Sequence, residues 1–137
     1  MDKNKVDSRI CLAGGVILDQ EGRVLLMHRN TPKRIQWELP GGKIEEGEEP
    51  EGTARREIKE ELGINVEIVK KIGEASFQED GFMMDYLWFL ARIESGDLEL
   101  REDKFDDLRY FALEDMREMQ AELSANTKNL VKLESIV

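Results

Sequence analysis

Between Pro50 and Gly63 the chain carries one segment whose local chemistry leaves little choice of conformation. Proline suits the first turn of a helix, where its missing N–H costs no hydrogen bond, and glycine just past the end suits the left-handed residue that stops one. The spacing therefore predicts a helix over 50–62. At 100° per residue with Glu57 as origin, Ala54, Ile58 and Leu62 fall at about 60°, 100° and 140°, an apolar stripe. Glu60 and Glu61 fall at about 300° and 40°, so three carboxylates share an arc about 100° wide at the edge of that stripe. Like charges three and four residues apart repel, by roughly 0.2–0.5 kcal/mol per pair. A divalent cation would neutralise the arc, and oxygen-only ligands favour Mg²⁺, Mn²⁺ or Ca²⁺ over zinc. Taken alone, the arc reads first as a solvated face balanced by Arg55, Arg56 and Lys59.

Around this helix the pattern is mostly that of strands. Ile10–Leu18 is apolar and β-branched, and a turn at Asp19–Gly22 leads to a second apolar run in Arg23–Arg29, so the two read as a hairpin. All three prolines, Pro32, Pro40 and Pro50, fall within one 19-residue stretch, and residues 30–49 read as loop with an extended piece at Gln36–Leu39. Ile64, Val66 and Ile68 alternate with polar residues, and Phe82–Ile93 is long, aromatic and β-branched; both predict strands. Ser95-Gly96-Asp97 turns the chain, and Leu108–Leu113 predicts another strand. Helices are expected near Glu114–Gln120 and over Ser124–Ile136, where Leu130, Leu133 and Val137 share a face. The class is α+β, a mixed sheet packed with helices.

Composition removes several functions. The 137 residues suit one domain, 1–137, and carry 20 basic against 30 acidic side chains, a net charge of −10. That charge disfavours nucleic acid and anionic membrane as partners. The apolar stretches are too short to span a bilayer, and the opening MDKNKVDSR is too charged for a signal peptide. One cysteine excludes an internal disulfide and suits a reducing, cytoplasmic setting. One histidine, His28, excludes a multi-histidine zinc site. His28 alternates with strand residues and reads as structural. Catalysis here would rest on carboxylates.

The helix belongs to a longer pattern. From Gly42 the chain reads GKIEEGEEPEGTARREIKEELGI, ending at Ile64. Five residues separate Gly42 from Glu48; seven more lead to Arg56, Glu57, Ile58, then Glu60, Glu61, Gly63 and Ile64. These 23 residues match the signature of the Nudix hydrolases throughout, and Trp37-Glu38-Leu39-Pro40-Gly41 is similar to the family's lead-in. The resemblance implies a Nudix fold, a mixed sheet sandwiched between helices, and Mg²⁺- or Mn²⁺-dependent hydrolysis of a nucleoside diphosphate linked to a group X. Matched position by position, it implies that Glu57, Glu60 and Glu61 bind metal, with the Gly42 carbonyl as a further ligand. Arg56 would hold the carboxylates, and Glu48 would assist at the metal or brace the loop. Glu57 is the expected general base; Glu48 or a residue on a later loop fills that role in other members.

Within the family the short chain resembles the MutT-like group, which hydrolyses nucleoside triphosphates, oxidised ones included, to monophosphate and pyrophosphate. In that group an Asn before the last helix reads the purine edge, and Asn126 of Ser124-Ala125-Asn126 is the analogous residue. Ser124 or Asn126 would also serve as a helix N-cap. The group places an acidic residue before the last strand; among Glu102, Asp103, Asp106 and Asp107, Asp107 aligns best as an extra metal ligand. Lys43 and Arg29 are expected to touch the anionic substrate, Arg29 from the most basic stretch, 28–34. Phe77, Phe82, Tyr86 and Trp88 could stack on a base, though the core claims most such rings. Hydrolysis of ADP-ribose, a nucleotide sugar or a dinucleoside polyphosphate is the enzymatic alternative, and an inactive nucleotide sensor the non-enzymatic one. The resemblance also leaves room for a homodimer.

Overall fold

The computed structural model describes residues 8–133. In chain order it comprises β1 (Arg9–Ile17), β2 (Val24–Asn30), β3 (Ile35–Glu38), β4 (Gly41–Lys43), α1 (Pro50–Leu62), β5 (Asn65–Glu79), β6 (Phe82–Ser95), β7 (Phe105–Phe111), α2 (Leu113–Glu118), a 3₁₀ turn (Gln120–Glu122) and α3 (Ala125–Val131). The strands form two sheets, ordered β4-β1-β6-β5 and β3-β2-β7. The first is mixed: β1 runs parallel to β6 from Arg9↔Met83 to Ile17↔Ala91, and β4 and β5 pair antiparallel with their neighbours. The second sheet is antiparallel.

The expected β1–β2 hairpin does not form. One bridge, Leu18↔Val24, and the bond from Asp19 N–H to the Arg23 carbonyl (3.0 Å) hold the turn, after which the strands part into different sheets. The cause is visible in β1, where Ala13 to Ile17 are all buried. A strand apolar on both faces sits inside a sheet, here between β4 and β6, and leaves no edge for β2. Strand β5 also outruns its alternating segment. Its polar half, 70–79, pairs with β6 across register shifts at Ile68/Lys70 and Lys71/Gly73, since the apolar β6 needs a partner along its length. Helix α3 is shorter than expected; Leu130 is buried, Leu133 packs on the core, and Val137 lies outside the described residues.

Alternation along the strands feeds two large cores, with a smaller cluster of Ala13, Ala54 and Phe89 beside them. Val16, Leu26, Trp37, Tyr86 and Trp88 face one, closed by Met116 of α2, Leu123, and Leu130 and Val131 of α3. Ile17, Leu25, Met27 and Ala91 face the other, closed by Ile58 and Leu62 of α1 with Ile64 and Val66. Each fully buried aliphatic side chain such as Ile58 contributes about 1.5–3 kcal/mol. Helix α1 thus lies on one side of the sheets and the C-terminal helices on the other. Among the described residues no helix is long and apolar enough to cross a membrane.

Candidate functional site

Helix α1 begins and ends as its sequence dictates. Pro50 stands in the first turn, and Gly63 takes φ 73° with its N–H on the Lys59 carbonyl. Docking of Ala54, Ile58 and Leu62 then decides where the glutamates go. Glu61 is buried at 4% exposure, Glu57 retains 17% of its side-chain surface, and Glu60 retains 52%. The acidic arc descends from solvent into the protein, as its place at the edge of the apolar stripe requires.

Strand β4 lies against this arc. The Gly41 N–H donates to Glu61 Oε1 at 3.0 Å. A Cβ on Gly42 would collide with the Glu57 carboxylate, so only glycine lets the chain pass that close. Arg56 is the hub of the exposed half. Its Nε donates to Glu48 Oε2 at 2.6 Å, its Nη2 to Glu48 Oε1 at 3.1 Å, and its Nη1 to Glu57 Oε2 at 2.8 Å and Glu60 Oε1 at 3.2 Å. Nη2 also reaches the Lys43 carbonyl, tying helix to loop. Thr53 Oγ1 and the Glu45 N–H complete the partners of Glu48.

These contacts divide the carboxylates electrostatically. The Arg56 fork, helped by the Glu45 N–H and the Thr53 hydroxyl, holds Glu48 down to about 2. Burial pushes Glu57 up; Arg56 opposes the shift, while Glu60 and Glu102 add to it. Burial drives Glu61 well above the carboxylate range, reinforced by Glu57 and relieved in part by Gly41 N–H. Glu102 and Glu38 raise it further.

Asp107 stands apart from the cleft in which it was expected to bind metal. Its carboxylate is bound by its own strand, by Leu108 N–H at 2.7 Å and by Arg109, and it does not line the cleft. Glu102, on the loop before β7, is the residue whose charge reaches Glu57 and Glu61. Its Oε1 is buried without a hydrogen bond among the described residues, although Lys104 Nζ lies 3.3 Å away. The choice within 102–107 turned on where the loop bends into β7, which alternation alone does not fix. Asp106 pairs with His28 Nδ1 at 2.6 Å, and His28 packs on Trp37.

Glu57 and Glu61 open into a cleft of about 550 Å³ between the two sheets, which Glu48, Glu60 and Glu102 do not line. Arg29, Lys43 and Asn126 all line it. The Arg29 guanidinium is held by both oxygens of Glu38 at 2.8 and 2.9 Å and lies over Phe105. Lys43 is exposed, with no ion-pair partner among the described residues. Ser124 is the N-cap of α3, while the Asn126 carboxamide oxygen accepts from Thr127 Oγ1 at 3.0 Å. Among the four aromatics only Tyr86 lines the cleft; Trp88 is wholly buried, Phe77 packs against the core, and Phe82 is exposed. Sequence reasoning gave no site role to Gln36 and Glu38, which share one face of β3 and are joined by a 2.8 Å hydrogen bond. Their period-two spacing opposite the apolar Trp37 was the available signal.

A model of the NUDIX domain matches residues 12–133, and the chain belongs to the Nudix family. An 8-oxo-dGTP diphosphatase from Proteus vulgaris is 41% identical over 68 residues, 48% of this chain and 57% of that protein. An ADP-ribose pyrophosphatase from Bacillus subtilis (strain 168) is 36% identical over 101 residues, 69% of this chain and 54% of that protein. The matches thus span little more than half the length of these two relatives. The crystal structure of a MutT NUDIX hydrolase from Burkholderia pseudomallei superposes with TM-score 0.81 at 30% identity, covering 93% of this chain and 98% of that one. Nudix hydrolases act on nucleoside diphosphate derivatives with a divalent metal. Among the described residues no three acidic, histidine or cysteine side chains are gathered as a preformed metal site; the exposed ones converge on Arg56 instead. The donor chemistry nevertheless fits a hard cation, with a buried Glu61 that accepts one hydrogen bond from Gly41 N–H and Glu102 near enough for its charge to reach it.

Proposed function

We propose that this chain is a divalent-metal-dependent nucleoside triphosphate pyrophosphohydrolase that converts a nucleoside triphosphate, common or oxidised, and water to nucleoside monophosphate and pyrophosphate. One observation carries the reading: a single cleft joins Glu57 and Glu61 of α1 to a polar wall of Gln36, Glu38 and Asn126 suited to a base edge. Mg²⁺ or Mn²⁺ would be held by the Gly42 carbonyl, Glu57, Glu60 and Glu61, with Glu102 in the place first expected for Asp107. When bound, the ion neutralises phosphate charge and lowers the pKa of water.

The protein's own groups do the rest. Glu57, raised by burial, is the base that takes a proton from the attacking water as the phosphorus–oxygen bond to the leaving group breaks. Arg56 positions Glu57 and Glu60 through Nη1 and anchors itself on Glu48. Lys43 places a point charge at the phosphate end. Glu38 fixes Arg29 in the cleft wall, and the Asn126 amide nitrogen is available to a base. No covalent nucleophile is needed, which suits a chain with one cysteine and one histidine.

The test is turnover of nucleoside triphosphates, 8-oxo-dGTP included, in Mg²⁺ or Mn²⁺ with product analysis. Monophosphate plus pyrophosphate, lost on chelation and in Glu57→Gln, is expected. Turnover of ADP-ribose or a nucleotide sugar alone would replace this reading, as would nucleotide binding without turnover.

A further inference from the structure

The cleft has a far end that the reaction does not use. At the start of β3, Thr31 and Arg34 close a tight turn, with Thr31 N–H on the Arg34 carbonyl at 2.9 Å and Arg34 N–H on Thr31 Oγ1 at 3.1 Å. The turn aims Arg34 across to the β5–β6 hairpin of the other sheet. There Arg34 Nη1 meets Glu79 Oε2 at 2.6 Å and Nη2 meets the Asp80 carboxylate. Lys33 Nζ lies 3.6 Å from Asp80. Asp80 sits at φ 54° and Gly81 at φ 84°, so Asp80 comes from a tight two-residue turn and Glu79 from the end of β5 beside it. Roughly three quarters of the Arg34 and Glu79 side-chain surface is withdrawn from water, with 23% and 25% left exposed.

Both walls of the cleft run from this ionic strap to the carboxylates of α1. Along one wall the chain passes from Arg34 through Gln36 and Glu38 to Gly41 and Gly42. Along the other it passes from the turn at Asp80 into β6 and on to Tyr86, where Phe82 to Tyr86 spans about 13 Å at strand spacing. Tyr86 pairs with Leu12, and Leu12 with Lys43. Asn126 stands between the two ends. The first turn of α3 is pinned beside the middle of the β3 wall by Ser124 N–H on the Trp37 carbonyl at 2.8 Å and by Leu39 N–H on Thr127 Oγ1 at 3.2 Å.

We infer that Arg34, through Glu79 and Asp80, closes the far end of the cleft, so that it accepts mononucleotides and rejects nucleotides extended at the 3′ side. This deepens the proposed function and rests on it: with phosphates at the glutamates and the base near Asn126, any further nucleotide must leave past the strap. The strap is a specificity determinant, and none of its residues takes part in the chemistry.

The test measures kcat/KM for the best-used nucleoside triphosphate and for the 5′-triphosphorylated dinucleotide with the same 5′ base. Three proteins are compared: wild type, Arg34→Gln, and Glu79→Gln/Asp80→Asn. Asparagine at position 80 keeps a residue tolerant of the left-handed conformation. The two variants open the strap while changing local charge in opposite directions. An effect of phosphate attraction alone would therefore move dinucleotide activity down in the first and up in the second. An opened strap moves it up in both, by about tenfold (about 1.4 kcal/mol), with triphosphate turnover within about twofold of wild type.

Binding of the corresponding 5′-monophosphates, measured by calorimetry, should shift in the same sense and does not depend on turnover. A wild type that uses both substrates equally, or a ratio unchanged in both variants, overturns the inference. Absence of triphosphate turnover in wild type overturns the proposed function, and this inference with it.

Discussion

Replacing Glu61 by glutamine should stabilise the metal-free protein and weaken its hold on metal. Glu61 is buried, accepts one hydrogen bond from Gly41 N–H, and feels the charges of Glu57, Glu102 and Glu38. Glutamine keeps the accepting oxygen and nearly the same shape. It removes a buried anion, and its new N–H group faces carboxylates able to accept it. Removing such an uncompensated buried charge gains about 1–3 kcal/mol, or about 3–12 °C in Tm for a chain of this size. The sign depends on pH. Because the folded state raises the Glu61 pKa, the penalty is absent below the ordinary carboxylate pKa and grows as pH rises through the folded value. The gain should therefore be clear at pH 8 and vanish near pH 4. Thermal melts of wild type and Glu61→Gln in chelator across that range, followed by calorimetric titration of Mn²⁺, provide the assay. A variant less stable than wild type at pH 8 without metal would refute the electrostatic reasoning.

Two further predictions address the geometry of the site. Gly42→Ala drives a methyl group into the Glu57 carboxylate and should cost at least about 10²-fold in kcat/KM, with circular dichroism near wild type. Glu102→Gln should lower metal affinity and turnover about tenfold or more, whereas Asp107→Asn should leave both unchanged, since Asp107 is engaged with Leu108 and Arg109; paired titrations and assays distinguish them.

The sequence carries the site's local parts better than its assembly. Pro50, Gly63 and the stripe of Ala54, Ile58 and Leu62 specify α1 through neighbouring-residue chemistry, so the descent of Glu60, Glu57 and Glu61 into the protein follows directly. Which strand lies beside which does not follow, because pairing depends on contacts remote in sequence. The run 13–17 signals burial on both faces, but only the fold reveals that β6 occupies the edge a hairpin would have used. The same limit explains Glu102. Its approach to Glu57 and Glu61 depends on how the loop before β7 docks, and four acidic residues within 102–107 look alike until that loop is placed. Glu38 lay in the expected extended piece and Arg34 in the basic stretch 28–34, yet their partners Arg29 and Glu79 arrive from other strands.

The two cores have an experimental consequence. The chain's two tryptophans, Trp37 and Trp88, lie in the core closed by the C-terminal helices, and the one closed by α1 has neither. Intrinsic emission therefore watches one half of the molecule. Loosening of the glutamate helix alone would pass unseen by fluorescence while the far-ultraviolet signal of that helix declined, so agreement between the two probes is itself a measure of whether both halves melt together.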